Sequence, residues 1–206
     1  MTSSSPVSKE AAVERLRAGN ERFVRGEVAH AGRLTPEFVA PLAAGQKPFA
    51  AILTCSDSRV CPEHIFDCAL GELFVCRTAG NLADALIYGS LEYAVAHLNV
   101  KLIVALGHSS CGACGAAVNG LRNPGGFESV NLSDVTARLA ASALAAKEDG
   151  EGSLRKWIDR TAELNVKCVC RDIISASPII LAAVEKGEIA VVGMFYDLAS
   201  GAARFL

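Results

Sequence analysis

Short apolar runs and longer amphipathic stretches alternate along this chain, and the alternation predicts its architecture. Residues 49–54, 73–77, 102–106 and 189–196 are each apolar and long enough for one buried strand. Between them the spacing changes to a helical period. Over 8–25, Val13, Leu16, Phe23 and Val24 recur among Glu10, Glu14, Arg15, Arg17, Glu21 and Arg22, and Gly26 closes the helix. Cys61-Pro62-Glu63 opens a short helical turn through Phe66, and residues 81–97 predict a helix with Leu91, Ala94 and Val95 on one face. Another helix begins near Ser110, and 119–126 reads as a loop. Residues 133–147 and 153–175 are helical, broken at 149–152, and Ser177-Pro178 opens a helix that Gly187 ends. A turn at 197–201 leads into a final strand over 202–206. The chain therefore predicts an α/β fold: a mainly parallel central sheet flanked by helices, with an N-terminal helical arm and a C-terminal hairpin strand. The organisation expected is an arm and connection over 1–47 and a single α/β domain over 48–206.

Composition narrows the function classes. The chain has 206 residues, 51% of them hydrophobic, enough for a substantial single core. A net charge of −2 gives no electrostatic case for nucleic acid or an anionic membrane. No run approaches the roughly 18 apolar residues of a membrane span, and residues 1–10 lack an apolar signal core, so a cytoplasmic protein is expected. The eight cysteines do not resemble a small secreted disulfide framework, because a core of this size needs no staples. In a reducing compartment they are metal ligands, redox groups or buried filler.

Chemistry concentrates where two of the strands end. The first stops at Cys55 and is followed by Asp57 and Arg59; the third runs into Gly107-His108-Ser109-Ser110-Cys111-Gly112. Ligands bind outside the carboxyl ends of strands in open α/β sheets. Two thiolates and an imidazole brought together there make a zinc site with an open fourth position, the catalytic pattern. Two other readings compete. Cys111-Gly112-Ala113-Cys114 also describes a thiol–disulfide oxidoreductase, and Cys114 as a fourth ligand would make a purely structural zinc site. Outside those readings Cys61, Cys68, Cys76, Cys114, Cys168 and Cys170 read as buried filler, with redox modulation as the alternative.

Cys-Ser-Asp-Ser-Arg at 55–59 followed by Gly-His-Ser-Ser-Cys-Gly at 107–112 resembles the β-class carbonic anhydrases. The resemblance extends through Pro62-Glu63-His64, Gly71-Glu72-Leu73-Phe74-Val75, Arg77, Ala79-Gly80-Asn81 and Glu92-Tyr93-Ala94-Val95. It implies one zinc ion per chain on Cys55, His108 and Cys111, a catalytic dyad of Asp57 and Arg59, and reversible hydration of carbon dioxide to bicarbonate. It implies a carbon dioxide pocket with Gln46, Phe74 and Tyr93, shared between subunits of a homodimer or higher homo-oligomer; Ser109 and Gly112 are further candidates beside the metal. Hydrolysis of carbonyl sulfide or carbon disulfide is the alternative on the same site. Regulated members of the family carry a tryptophan where this chain has Ile52, so the resemblance implies a form in which Asp57 stays paired with Arg59.

Overall fold

The computed structural model describes residues 7–30, 35–123, 125, 127–147 and 153–206. Five strands form one sheet in the order β2-β1-β3-β4-β5. They are β1 (Ala50–Cys55), β2 (Leu73–Thr78), β3 (Leu102–His108), β4 (Ala190–Tyr196) and β5 (Ala203–Phe205). The first four are parallel, and β5 returns antiparallel to β4. Every residue of β1 and β3 is buried, which is why these strands read as continuous apolar runs and not as alternating ones. The register sets Thr54 beside Leu106 and His108 beside Tyr196, so Cys55 and His108 emerge at one carboxyl edge.

Helices cover both faces. On one side lie α1 (Lys9–Arg25) and the single turn α3 (Pro62–Ile65), with α2 (Pro36–Val39) and a 3-10 turn over Ala40–Ala44 in the connection before β1. Leu16, Ile52, Phe66, Leu102, Val104 and Leu106 make that side of the core. On the other side lie α4 (Ala85–Ala96), α7 (Leu154–Ala176) and α8 (Pro178–Glu185), meeting the sheet through Leu53, Leu91, Ile103, Val166, Ile173 and Ile180. A smaller cluster beneath the carboxyl edge joins α5 (Gly112–Arg122), α6 (Val130–Ala145) and α7 around Val118, Leu139 and Ala162.

The amphipathic stretch at the start is fastened to its own domain. Ser8 caps α1 by accepting from the Ala11 N–H at 3.2 Å, and Gly26, with φ of 71°, ends it. Buried Asn20 bridges three segments: Nδ2 donates to the carbonyls of Ile65 and Gly201, and Oδ1 accepts from the Ala203 N–H. A Cβ on Gly19 would sit 1.8 Å from the Phe66 carbonyl oxygen, so only glycine lets α1 come this close.

Two boundaries differ from the pattern. The helix expected over 81–97 begins at Ala85, because the Asp84 carboxylate accepts the N–H groups of Leu86 and Ile87 as an N-cap. The residues before it, Ala79–Asn81, form a 3-10 turn with Gly80 at φ of 68° and Asn81 at 47°. The loop expected from 119 begins at 123 instead, since α5 continues to Arg122. The interruption expected at 149–152 lies outside the described residues, as do residues 1–6. No helix among the described residues is long and apolar enough to cross a membrane.

Candidate active site

Cys55 ends β1, His108 ends β3, and Cys111 is the N-cap residue of α5. Their donor atoms all lie within 4.8 Å of one another, and all three residues are buried. The His108 Nδ1 is 2.9 Å from the Ser109 carbonyl oxygen, which can only accept, so the ring proton resides on Nδ1. Nε2 is thereby left with a lone pair facing the two thiols. It is buried and has no hydrogen-bond partner among the described residues. A buried unpaired polar atom costs about 1–3 kcal/mol, and a metal ion between the three donors removes that cost. The donor set fits a soft or borderline cation such as zinc. Without a cation the same crowding is unfavourable to charge: hydrogen bonding to Cys111, then burial, pushes the Cys55 thiol up to about 12.

Asp57 stands beside this cluster. Its Oδ1 accepts from Arg59 Nε at 2.9 Å and from the Arg59 backbone N–H at 3.0 Å, and its Oδ2 accepts from Arg59 Nη2 at 2.7 Å. The bidentate guanidinium holds the carboxyl well below the usual carboxylate range. Asp57 Oδ2 also lies 3.9 Å from His108 Nε2, so the ionised oxygen overlooks the cluster. Arg77, from β2, donates to the carbonyls of Cys55 at 3.1 Å and Asp57 at 2.7 Å, fixing the backbone between the two residues.

Further supports come from α7 and were not visible in the sequence pattern. Ser110 sits between His108 and Cys111 with φ of 54°, a strained value for a serine, and its N–H donates to Asp159 Oδ1 at 2.6 Å. Asn165, buried on the same helix, donates to the Gly80 carbonyl at 2.9 Å. The Gly80 N–H in turn points at Cys55 Sγ, 3.4 Å away. Gly80 needs its positive φ, and a Cβ there would come within about 3.1–3.2 Å of Leu139 and Ala113. One helix therefore braces both loops beside the clustered donors. Asp159 and Asn165 read in sequence as ordinary polar positions of an amphipathic helix, and no local signal separates them from their neighbours.

The remaining expected residues are placed unevenly. The Phe74 and Tyr93 rings are neighbours, with centroids 6.3 Å apart, on edge strand β2 and helix α4; Tyr93 is exposed. Gln46 is exposed and lines a cleft with Phe38, Leu42 and Leu70, apart from the cluster. Ser109 is buried, and its hydroxyl oxygen accepts from the Leu198 N–H, which binds the turn after β4 to the loop between His108 and Cys111. Gly112 begins α5 with open space where a Cβ would be. Cys114 is fully buried and outside the set of three donors.

An open Cys-His-Cys cluster beside an arginine-held carboxylate, at the carboxyl edge of a parallel α/β sheet, defines the class: an α/β protein with a candidate catalytic metal centre. Residues 50–203 match the family model described as carbonic anhydrase, and the chain belongs to that family. It is similar to carbonic anhydrase 2 of Mycobacterium tuberculosis (strain ATCC 25618 / H37Rv), 42% identical, with 98% of this chain and 94% of that protein covered. Among solved structures it resembles a tetrameric β-carbonic anhydrase of the filamentous ascomycete Sordaria macrospora, with a TM-score of 0.71 and 31% identity over 84% of this chain and 87% of that one. It also resembles the Coccomyxa β-carbonic anhydrase in complex with acetazolamide, with a TM-score of 0.69 and 34% identity over 82% and 76%.

Proposed function

We propose that this carbonic anhydrase holds one zinc ion per chain on Cys55, His108 and Cys111 and interconverts carbon dioxide and bicarbonate beside it. The observation that carries the reading is the buried, unpartnered His108 Nε2 facing two thiols next to an ionised Asp57. Zinc, when bound, supplies a Lewis acid that acidifies water, and two thiolates temper that effect relative to an all-histidine site. The protein's own groups do the aiming. Ionised Asp57 is an acceptor only, so it takes a hydrogen bond from the attacking water and directs the oxygen lone pair at the substrate carbon. Arg59 keeps Asp57 charged and fixes its rotamer. The Gly80 N–H supports the Cys55 sulfur, and Arg77 holds the backbone that spaces Asp57 from Cys55.

A redox role for Cys111 and Cys114 is disfavoured by burial, which closes both thiols off from a partner disulfide. A reactive thiol needs a depressed pKa, whereas Cys111 is pushed up to about 12, first by its hydrogen bond with Cys114. All eight cysteines are free thiols, in keeping with a reducing, cytoplasmic setting.

Phe74 and Tyr93 lie half-open at the β2 edge, and Gln46 is remote from the cluster within one chain. We infer a homodimer or a multiple of it, in which a second subunit closes the carbon dioxide pocket over the two rings. The test is stopped-flow hydration of carbon dioxide by protein of measured zinc content. Cys55→Ser, His108→Ala and Cys111→Ser should each lose metal and activity together, and Cys114→Ser should keep both. Loss of zinc by Cys114→Ser alone would show a closed four-ligand site.

A further inference from the structure

Away from the metal cluster, a cleft of about 870 Å³ opens between α6, α7 and the β4–β5 edge of the sheet. Its floor is apolar, with Leu164, Val191, Phe205 and Leu206. The charged side chains at its wall are of one sign. Lys167 and Arg171 both line it, no aspartate or glutamate side chain does, and neither cation forms a salt bridge among the described residues. Between them stands the Cys168 thiol. Arg171 Nη2 donates to Cys168 Sγ at 3.1 Å, and the Ser142 hydroxyl approaches the same sulfur at 3.8 Å.

The other seven thiols differ from it. Cys55 and Cys111 belong to the metal cluster, and Cys114 is fully buried. Cys61 faces the Glu63 carboxylate at 3.5 Å. Burial pushes Cys68 up to about 12 and Cys170 up to about 11, and raises Cys76. Cys168 alone combines partial exposure, a guanidinium donor on its sulfur and an open cavity in front of it. Cys170 cannot resolve it, since residues two apart on a helix do not face each other.

We propose that Cys168 is a thiolation site whose cleft selects small disulfides that carry carboxylates. The Cys168 thiol gives its proton to solvent, and the thiolate attacks one sulfur of the incoming disulfide. The reagent's S–S bond breaks as the Cys168–S–S–R bond forms, and the other half leaves as a thiolate. The protein sulfur is oxidised and the departing half is reduced, so no further oxidant enters. Arg171 pairs with the thiolate and Lys167 with a carboxylate of the retained half, while the apolar floor takes its hydrocarbon part.

The test uses the zinc-loaded protein, reduced and freed of reductant, with two probes: glutathione disulfide, which is net anionic, and cystamine, a dication. Peptide mass mapping follows the mixed disulfide at each cysteine over time. Each rate is divided by that of N-acetylcysteine with the same probe. Cys168 should be the first residue modified. Its normalised rate with glutathione disulfide should exceed that with cystamine by roughly tenfold at low salt. That preference should shrink toward unity at high salt, and in a Lys167→Gln/Arg171→Gln variant whose circular dichroism is unchanged. Modification of Cys61 ahead of Cys168, or equal normalised rates for the two probes on the wild-type protein, would overturn the proposal.

Discussion

Asp57 and Arg59 carry a testable asymmetry. The Asp57 carboxyl titrates far below the usual carboxylate range, chiefly because Arg59 hydrogen-bonds its charged form. A depressed folded-state value means that the pair's stabilisation is present above the ordinary carboxylate range and is lost as pH falls through the depressed value. Asp57 therefore stays charged throughout the neutral range, and the pH–rate profile there belongs to the activated water. Activity should rise smoothly with pH, through a titration above neutrality, with no cooperative collapse near pH 8. A steep bicarbonate-sensitive shutdown would show Asp57 leaving Arg59 for the metal. Asp57→Ala and Arg59→Ala should each keep zinc and lower turnover by roughly a hundredfold or more. The double variant should be little worse than either, as for residues that act as one unit. Additive losses would mean separate roles. The three clustered donors and this pair were legible as candidates in the sequence because they follow the points where apolar runs stop. Asp159 and Asn165 were not, since they reach loops 49 and 85 residues away from an ordinary helix face.

At the scale of elements, α7 is where that hidden support resides. Replacing Asp159 by Ala orphans the Ser110 N–H, and replacing Asn165 by Ala orphans the Gly80 carbonyl, each at a cost of about 1–3 kcal/mol. Those groups adjoin the Cys55, His108 and Cys111 cluster, so if it holds zinc the loss should appear as faster zinc release to a chelator before it appears as unfolding. Unchanged release rates in both variants would remove the bracing role. The N-terminal helix α1 makes a different prediction. Leu16 is fully buried in the core and Asn20 joins three segments, so Leu16→Ala should cost about 2–5 kcal/mol. Urea unfolding at fixed protein concentration measures it. A change under 1 kcal/mol would mean that α1 is dispensable to its own domain. The helical period announced α1, but not the surface it would cover. That is fixed by the close approach at Gly19 and the reach of Asn20, both long-range facts. The helix start at Ala85 was missed for a local reason: the apolar period begins before the Asp84 cap, and the cap decides.

For the whole molecule, the mainly parallel sheet, its C-terminal hairpin and the Cys-His-Cys cluster followed from alternation and strand-end chemistry, whereas the order of the strands and any enclosure around Phe74 and Tyr93 did not, because both depend on long-range packing. β2 is an outer strand of the sheet, and an open strand edge invites pairing or cover. Near it, α4 leaves Leu86 81% and Tyr93 47% exposed, with Phe74 against the Tyr93 ring. Leu86 makes no contact that the chain's own core depends on, so Leu86→Arg should leave the fold of one subunit intact. If this face is covered by a second copy, the arginine becomes an unpaired charge in an apolar interface, at a cost of several kcal/mol. Light scattering should then show monomers where the wild-type protein shows dimers or their multiples. Turnover should fall with dissociation while zinc content holds, because the cluster lies within one chain and Phe74 and Tyr93 lose their cover. Recovery of both dimer and turnover at high protein concentration would tie the pocket to assembly. A wild-type monomer with full activity would refute the shared pocket outright, and a fully active Leu86→Arg monomer would place the pocket within a single chain.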